Sequence, residues 1–205
     1  MEGESPLNTR DAKAFVFDLD GTLATIPVDW EAVRDRLKTL TGREEDFKPI
    51  FPTIAGVVAS DPRLGREVFA LIDEFESAAV PRARLHDGAL DLLSWLSDRA
   101  DLSLVTMQGR SSAEKLLEMF ELRRFFSHIF TREDSLDRAE QIEMAISSMG
   151  ATKSDSVFVG DRLNDLNAAK KAGVPFVLVR THGGDPEVDD VPVYHSLAEF
   201  AAALA

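Results

Sequence analysis

The sequence predicts an α/β fold, a parallel sheet covered by helices on both faces, interrupted once by an inserted helical segment. Three observations carry this prediction. Short apolar runs containing Val, Ile or Phe alternate with segments whose apolar residues recur every three to four positions. About sixty residues after the first run break that alternation and read as helix around one Pro- and Gly-rich stretch. The polar residues of chemical interest directly follow apolar runs, and ligands of open α/β sheets bind at the carboxyl ends of strands.

In chain order, AFVF (Ala14 to Phe17) is the first expected strand. Asp29 then caps a helix in which Trp30, Val33, Leu37 and Leu40 follow helical steps. Phe47 to Pro62 reads as loop with at most a short helix, and a second helix carries Leu64, Val68, Leu71, Ile72 and Phe75. The inserted segment begins near Thr25 to Pro27 and ends near Arg84 to Gly88. The expected division is therefore an α/β core over residues 1–24 and 85–205 and a helical cap subdomain over residues 25–84. Strands follow at Leu102 to Val105, Ile129 to Phe130, Val157 to Val159 and Phe176 to Val179. Helical faces lie between them at Leu92, Leu93 and Leu96, at Leu116, Leu117 and Phe120, and at Ile142, Ala145, Ile146 and Met149. Gly150 and Gly173 stand where helix C-caps belong. Ser196 caps a terminal helix from Leu197.

The 205 residues carry 36 acidic and 23 basic side chains, and the net charge of -13 disfavours nucleic acid and anionic membrane as partners. With no cysteine, disulfides, thiolate catalysis and Cys-based zinc sites are excluded. The N-terminus, MEGESPLNTRDAK, lacks an apolar core, so no secretory signal is expected. A soluble cytoplasmic protein, monomeric by default, is the expectation.

FDLDGTL, residues 17 to 23, places two carboxylates at the end of a buried strand, a costly position unless something pairs with them or binds them. On a continued strand Asp18 and Asp20 point to opposite faces, but Gly21 permits a sharp turn that brings both to one cavity. Taken alone, Asp-x-Asp-Gly is a turn. An EF-hand is rejected, because Val16 and Phe17 stand where earlier acidic ligands belong. Thr106 follows LSLV, Asp161 follows VFVG, and Asp165 lies one helical turn further on. Converging carboxylates repel one another unless a cation binds them, and hard oxygen ligands without His or Cys nearby point to magnesium.

FDLDGTL, LVTMQGR and FVGDRLNDLNAAKKAG, in this order, resemble the signature motifs of the haloacid dehalogenase-like (HAD) superfamily. The resemblance covers Lys13 to Leu23 and Leu85 to Val179, and the inserted helices resemble the cap of the phosphoglycolate-phosphatase-like branch. It implies a Rossmann-like core and a magnesium-dependent phosphatase acting on a small phosphorylated metabolite through an aspartyl-phosphate. Asp18 matches the nucleophile. Asp20 matches the general acid and base, and its main-chain carbonyl joins Asp18 and Asp161 as magnesium ligands. Asp165 matches the second carboxylate of the last motif. Thr106 and the Met107 amide match the phosphoryl-binding group.

The sequence departs from the pattern once. The branch carries a lysine, often followed by proline, before the helix leading to the fourth strand, whereas TREDSLDRAEQIEMAI has neither there. Arg138 aligns best and Arg132 is its rival, and arginine does not simply replace lysine. His86, His128, His182 and His195 lack metal-ligand spacing. His86 sits near the expected hinge. Gly109 reads as a turn, Arg110 as a neighbour of the site, Gly183-Gly184 as a turn, and Trp30 as core. Of the cap cations Arg34, Lys38, Arg43 and Lys48, one is expected to reach the site. A phosphomutase and a non-catalytic binding module remain alternatives. A dehalogenase does not fit, because the family's dehalogenases generally lack the second aspartate.

Overall fold

A computed structural model describes residues 9–181, 188 and 190–205. Among them, six parallel strands form one sheet: β1 (Ala14–Phe17), β4 (Asp101–Val105), β5 (His128–Phe130), β6 (Ser156–Gly160), β7 (Phe176–Val179) and β8 (Val193–Tyr194). Their order is β5-β4-β1-β6-β7-β8. β1 is central and buried at every residue, as a continuous apolar run without alternation requires. The chain builds outward from β1 to β4 and β5, then returns to β1's other side with β6. The order therefore reverses between β1 and β6, and Asp18 and Asp161 stand just past their ends.

Helices α4 (Ala89–Ser97), α5 (Arg110–Met119), α6 (Arg138–Ser148), α7 (Leu163–Ala172) and α8 (Leu197–Leu204) cover the sheet. Their apolar faces form two clusters. One is built on Phe15, Phe17, Leu92, Leu116 and Phe200, the other on Val16, Ile142, Phe158, Leu166 and Phe176. Phe15 and Val16 are consecutive strand residues and serve opposite faces, as the period of two demands. Ser196 caps α8 by accepting from the Glu199 amide, and Gly173 ends α7 at φ 69°.

Three helices lie between β1 and α4. α1 (Trp30–Thr41) begins at Asp29, whose side chain accepts from the Ala32 amide at 3.0 Å. α3 (Pro62–Ala79) begins at Asp61 with proline in its first turn. The expectation of a mostly irregular Phe47 to Pro62 is corrected by α2 (Ile50–Ser60), a full helix. Pro52 lies in its first turn, where the missing N–H has no intrahelical partner to lose. Ile54 and Val57 then bury one face, and α2 packs on α3. Two short strands without a periodic signature, β2 (Ala24–Thr25) and β3 (Arg84–Leu85), pair antiparallel at the two ends of the segment that carries these three helices. No helix among the described residues is long and apolar enough to cross a membrane.

Candidate active site

Gly21 shapes the turn after β1. Its φ of 94° suits glycine, and a Cβ there would overlap the Asp161 carboxylate. The turn closes through amides of Leu23 and Ala24 donating to the Leu19 carbonyl. Asp18 is 4 % exposed. Oxygens of Asp18, Asp161 and Asp165 all lie within 4.8 Å of one another. Asp20 lines the same cavity but stands outside this trio, and its Oδ1 accepts from the Ile26 amide at 3.0 Å. The Thr22 hydroxyl donates to Asp161 Oδ1 at 3.2 Å, and Asp165 Oδ2 accepts from the Arg162 amide at 3.2 Å. Gly160 lets Asp165 approach, since a Cβ would meet its carboxylate.

Arg138 opens α6 and reaches the trio. Its Nη1 lies 2.7 Å from Asp18 Oδ1 and donates to the Val105 carbonyl at 2.9 Å, while Nε lies 3.8 Å from Asp165 Oδ1. Arg132 points elsewhere, to Asp73 and Glu76 of α3. Of the two rival arginines, therefore, only Arg138 meets Asp18. Thr106 is buried, and its Oγ accepts from the Gln108 amide at 3.1 Å. Gln141, which the sequence reading did not single out, donates from Nε2 to the carbonyls of Thr106, Thr131 and Ser135. Its position on the apolar face of α6 conceals this role in the sequence.

Negative charge exceeds positive here, and the proton affinities reflect it. Burial, and next the charge of Asp18, raise Asp20, Asp161 and Asp165 from the usual 3.8 to about 7. Burial also raises Asp18, outweighing the opposing pull of Arg138. Burial disfavours the Arg138 charge, yet Asp18, Asp165 and Asp161 together hold its proton more firmly than usual. A buried trio of oxygen donors whose own arginine leaves it short of positive charge fits a hard divalent cation.

The carboxylates open into a cavity of about 900 Å³, within the usual size of a small-molecule site. Thr106, Met107 and Arg138 line it, as do Trp30, Arg34, Phe47, Lys48 and Phe51 from the inserted segment. Trp30 is thus a wall residue, edge-on to Phe51 with ring centroids 6.1 Å apart, rather than simple core. Arg34 and Lys48 reach the cavity, whereas Lys38 and Arg43 pair with Asp46 and Glu45. Arg110 pairs with Asp134 away from the cavity. Gly109 adopts an ordinary extended conformation instead of a glycine-specific turn, and a Cβ there would meet Asp73 and Arg132. His86 Nε2 lies 2.8 Å from the Thr25 hydroxyl and ties β2 to the residue that follows β3, outside the cavity. His128 stacks on Phe130, and the His195 amide donates to Glu199. His182 and Gly183-Gly184 lie outside the described residues.

The sequence profile described as haloacid dehalogenase-like hydrolase matches residues 15–179. The chain is 28% identical over 177 residues to a protein named pyrophosphatase PpaX from Halalkalibacterium halodurans, covering 80% of this chain and 81% of that one. It is also 28% identical over 209 aligned positions to phosphoglycolate phosphatase 1 from Pseudomonas aeruginosa, covering 90% and 76%. Among solved structures, CbbY from Rhodobacter sphaeroides in complex with phosphate superposes with a TM-score of 0.70 at 19% identity, covering 94% of this chain and 99% of that one.

Proposed function

The chain belongs to the haloacid dehalogenase-like hydrolase family, and on that premise we propose that it is a magnesium-dependent cytoplasmic phosphatase that hydrolyses a small-molecule phosphomonoester. The observation that carries this reading is the buried trio Asp18, Asp161 and Asp165, with Arg138 against Asp18 and Asp20 facing the same cavity.

In this reading Asp18 attacks phosphorus and the ester oxygen departs, leaving an aspartyl-phosphate. Asp20 gives the leaving oxygen its proton, then takes one from the water that attacks phosphorus and frees Asp18. A proton affinity near neutrality suits both transfers. Thr106, and the Met107 amide beside it, hold the phosphoryl oxygens. Arg138 stands in for the family's lysine, holding Asp18 in line and offsetting its charge. Asp18, Asp161, the Asp20 main-chain carbonyl and Asp165 would hold magnesium, which would supply the positive charge that lets a carboxylate approach a phosphate anion. Residues 25–84 act as the cap that opens for substrate and closes against water. The size of the cavity and its Arg34 and Lys48 wall suit an anionic metabolite.

The test is hydrolysis of p-nitrophenyl phosphate with magnesium and with EDTA, in the wild type and in Asp18→Asn. Turnover is expected only with magnesium, and Asp18→Asn should lower kcat by about 10,000-fold or more. Undiminished turnover in Asp18→Asn overturns the reading.

A further inference from the structure

Arg132 leaves the core just after β5 and buries its guanidinium among the inserted helices, where its side chain is 1% exposed. The guanidinium carbon lies 6.0 Å from the ring centre of Phe51 on α2 and 5.7 Å from that of Phe69 on α3. Nη1 meets Glu76 Oε1 at 2.6 Å, and Nη2 pairs with Asp73. The same Nη1 also donates to the Met107 carbonyl at 3.0 Å. Glu76 is itself fully buried, and its second oxygen, Oε2, accepts from the Gly109 amide at 2.9 Å. A carboxylate from α3 and a guanidinium from the β5 loop thus hold main-chain atoms on both sides of Gln108. The Gln108 amide in turn donates to the Thr106 hydroxyl. Gly109 is bare because a side chain there would occupy the space of Asp73 and Arg132.

We propose that Glu76 and Arg132 are positioning residues that couple the seating of the inserted helices to the shape of the Thr106–Gly109 loop. As far as it concerns phosphate, this inference rests on the reading of that loop as the phosphoryl-binding element. The chemistry of the pair favours this role over simple adhesion. Well-packed apolar side chains stabilise an interface at least as well as a buried ion pair. They cannot direct a peptide carbonyl and a peptide amide, which this pair does. Because each charge depends on the other for its burial, a small displacement of α3 leaves the loop without both of its supports. Seated helices and a formed loop are then one state.

The experiment compares wild type, Glu76→Gln and Arg132→Lys by amide hydrogen exchange, and by calorimetric titration of inorganic phosphate with magnesium present, well below each variant's Tm. Both substitutions keep a hydrogen-bonding group in place and so favour a folded product. Exchange at Gly109 is expected to rise about tenfold while β1 and β6 amides keep their protection, and phosphate affinity to fall about tenfold. Thr106→Val should then weaken phosphate binding less in the Glu76→Gln background than in the wild type, because both changes act through one loop. Unchanged Gly109 exchange overturns the proposal. So does a uniform rise in exchange with additive losses of phosphate affinity, the signature of a merely structural pair. A local rise in exchange in a protein whose wild type neither binds phosphate nor hydrolyses p-nitrophenyl phosphate upholds the tether and overturns the phosphatase reading alone.

Discussion

Two buried charge clusters lie on either side of the Thr106–Gly109 loop, and they are balanced differently. Under the inserted helices, Arg132 meets Asp73 and Glu76, and the remaining oxygen of Glu76 takes the Gly109 amide. Asp73 has its side chain 45% exposed, so water shares its charge, and the buried pair itself is one cation with one anion. At the strand ends, Asp18, Asp161 and Asp165 are all buried and share Arg138, with Arg162 largely exposed beside them. Of Asp18, Asp20, Asp161 and Asp165, the last three are raised to about 7. Burial alone does not distinguish a structural ion pair from a reactive one. The excess of like charge does, because it is tolerable only where a further cation or a proton completes the site.

The largest contrast is expected between the two arginines. Arg132→Met leaves Glu76 buried without its partner and should cost about 3–5 kcal/mol, read as a lowered denaturant midpoint. Arg138→Met should lower kcat by about 100- to 1,000-fold while, with magnesium present, shifting that midpoint less than Arg132→Met does. Equal stability losses from both would erase the distinction drawn between the clusters. A second, smaller effect follows from proton linkage. A carboxyl with a raised folded pKa binds its proton more tightly in the folded chain than in the unfolded one. Stability therefore falls as pH rises from the usual 3.8 to about 7, and the full penalty is present above that. Metal-free protein should lose on the order of 5 °C in Tm between about pH 5 and 8, and excess magnesium should flatten that slope. A flat profile without metal would mean that the cluster is already neutralised. The smallest effect is the control. Lys153 and Glu143 pair at 2.5 Å with side chains about half exposed, and Lys153→Ala should change stability by less than about 1 kcal/mol.

Much of this was legible in the sequence because it is written locally. Each large-sheet strand but β8 shows as an apolar run, and Asp29 and Ser196 mark helix starts by their own side chains. FDLDGTL and GDRLND carry the aspartates in short windows, so their convergence followed once the strands were parallel. What escaped was non-local or too short to show a period. β2, β3 and β8 have two residues each. α2 was obscured by Pro52 and Gly56, which read as loop residues away from the packing of Ile54 and Val57. Glu76 and Arg132 stand 56 residues apart, and nothing in either neighbourhood announces the other. Arg132 was weighed as a rival to Arg138 because spacing alone cannot show which way a guanidinium turns.

The β2–β3 ladder has a consequence for how such a chain can diversify. Ala24 faces Leu85 across it, so the inserted segment departs and returns through neighbouring backbone positions. The segment between them contributes no strand to the six-stranded sheet, so replacing it would leave that sheet's strand pairing unchanged. Arg132 limits that freedom. It projects from the loop after β5 into the segment on the other side, and a replacement without acids at the places of Asp73 and Glu76 would bury an unmatched guanidinium. Acids that meet Arg132 are therefore a requirement on any segment placed at this junction.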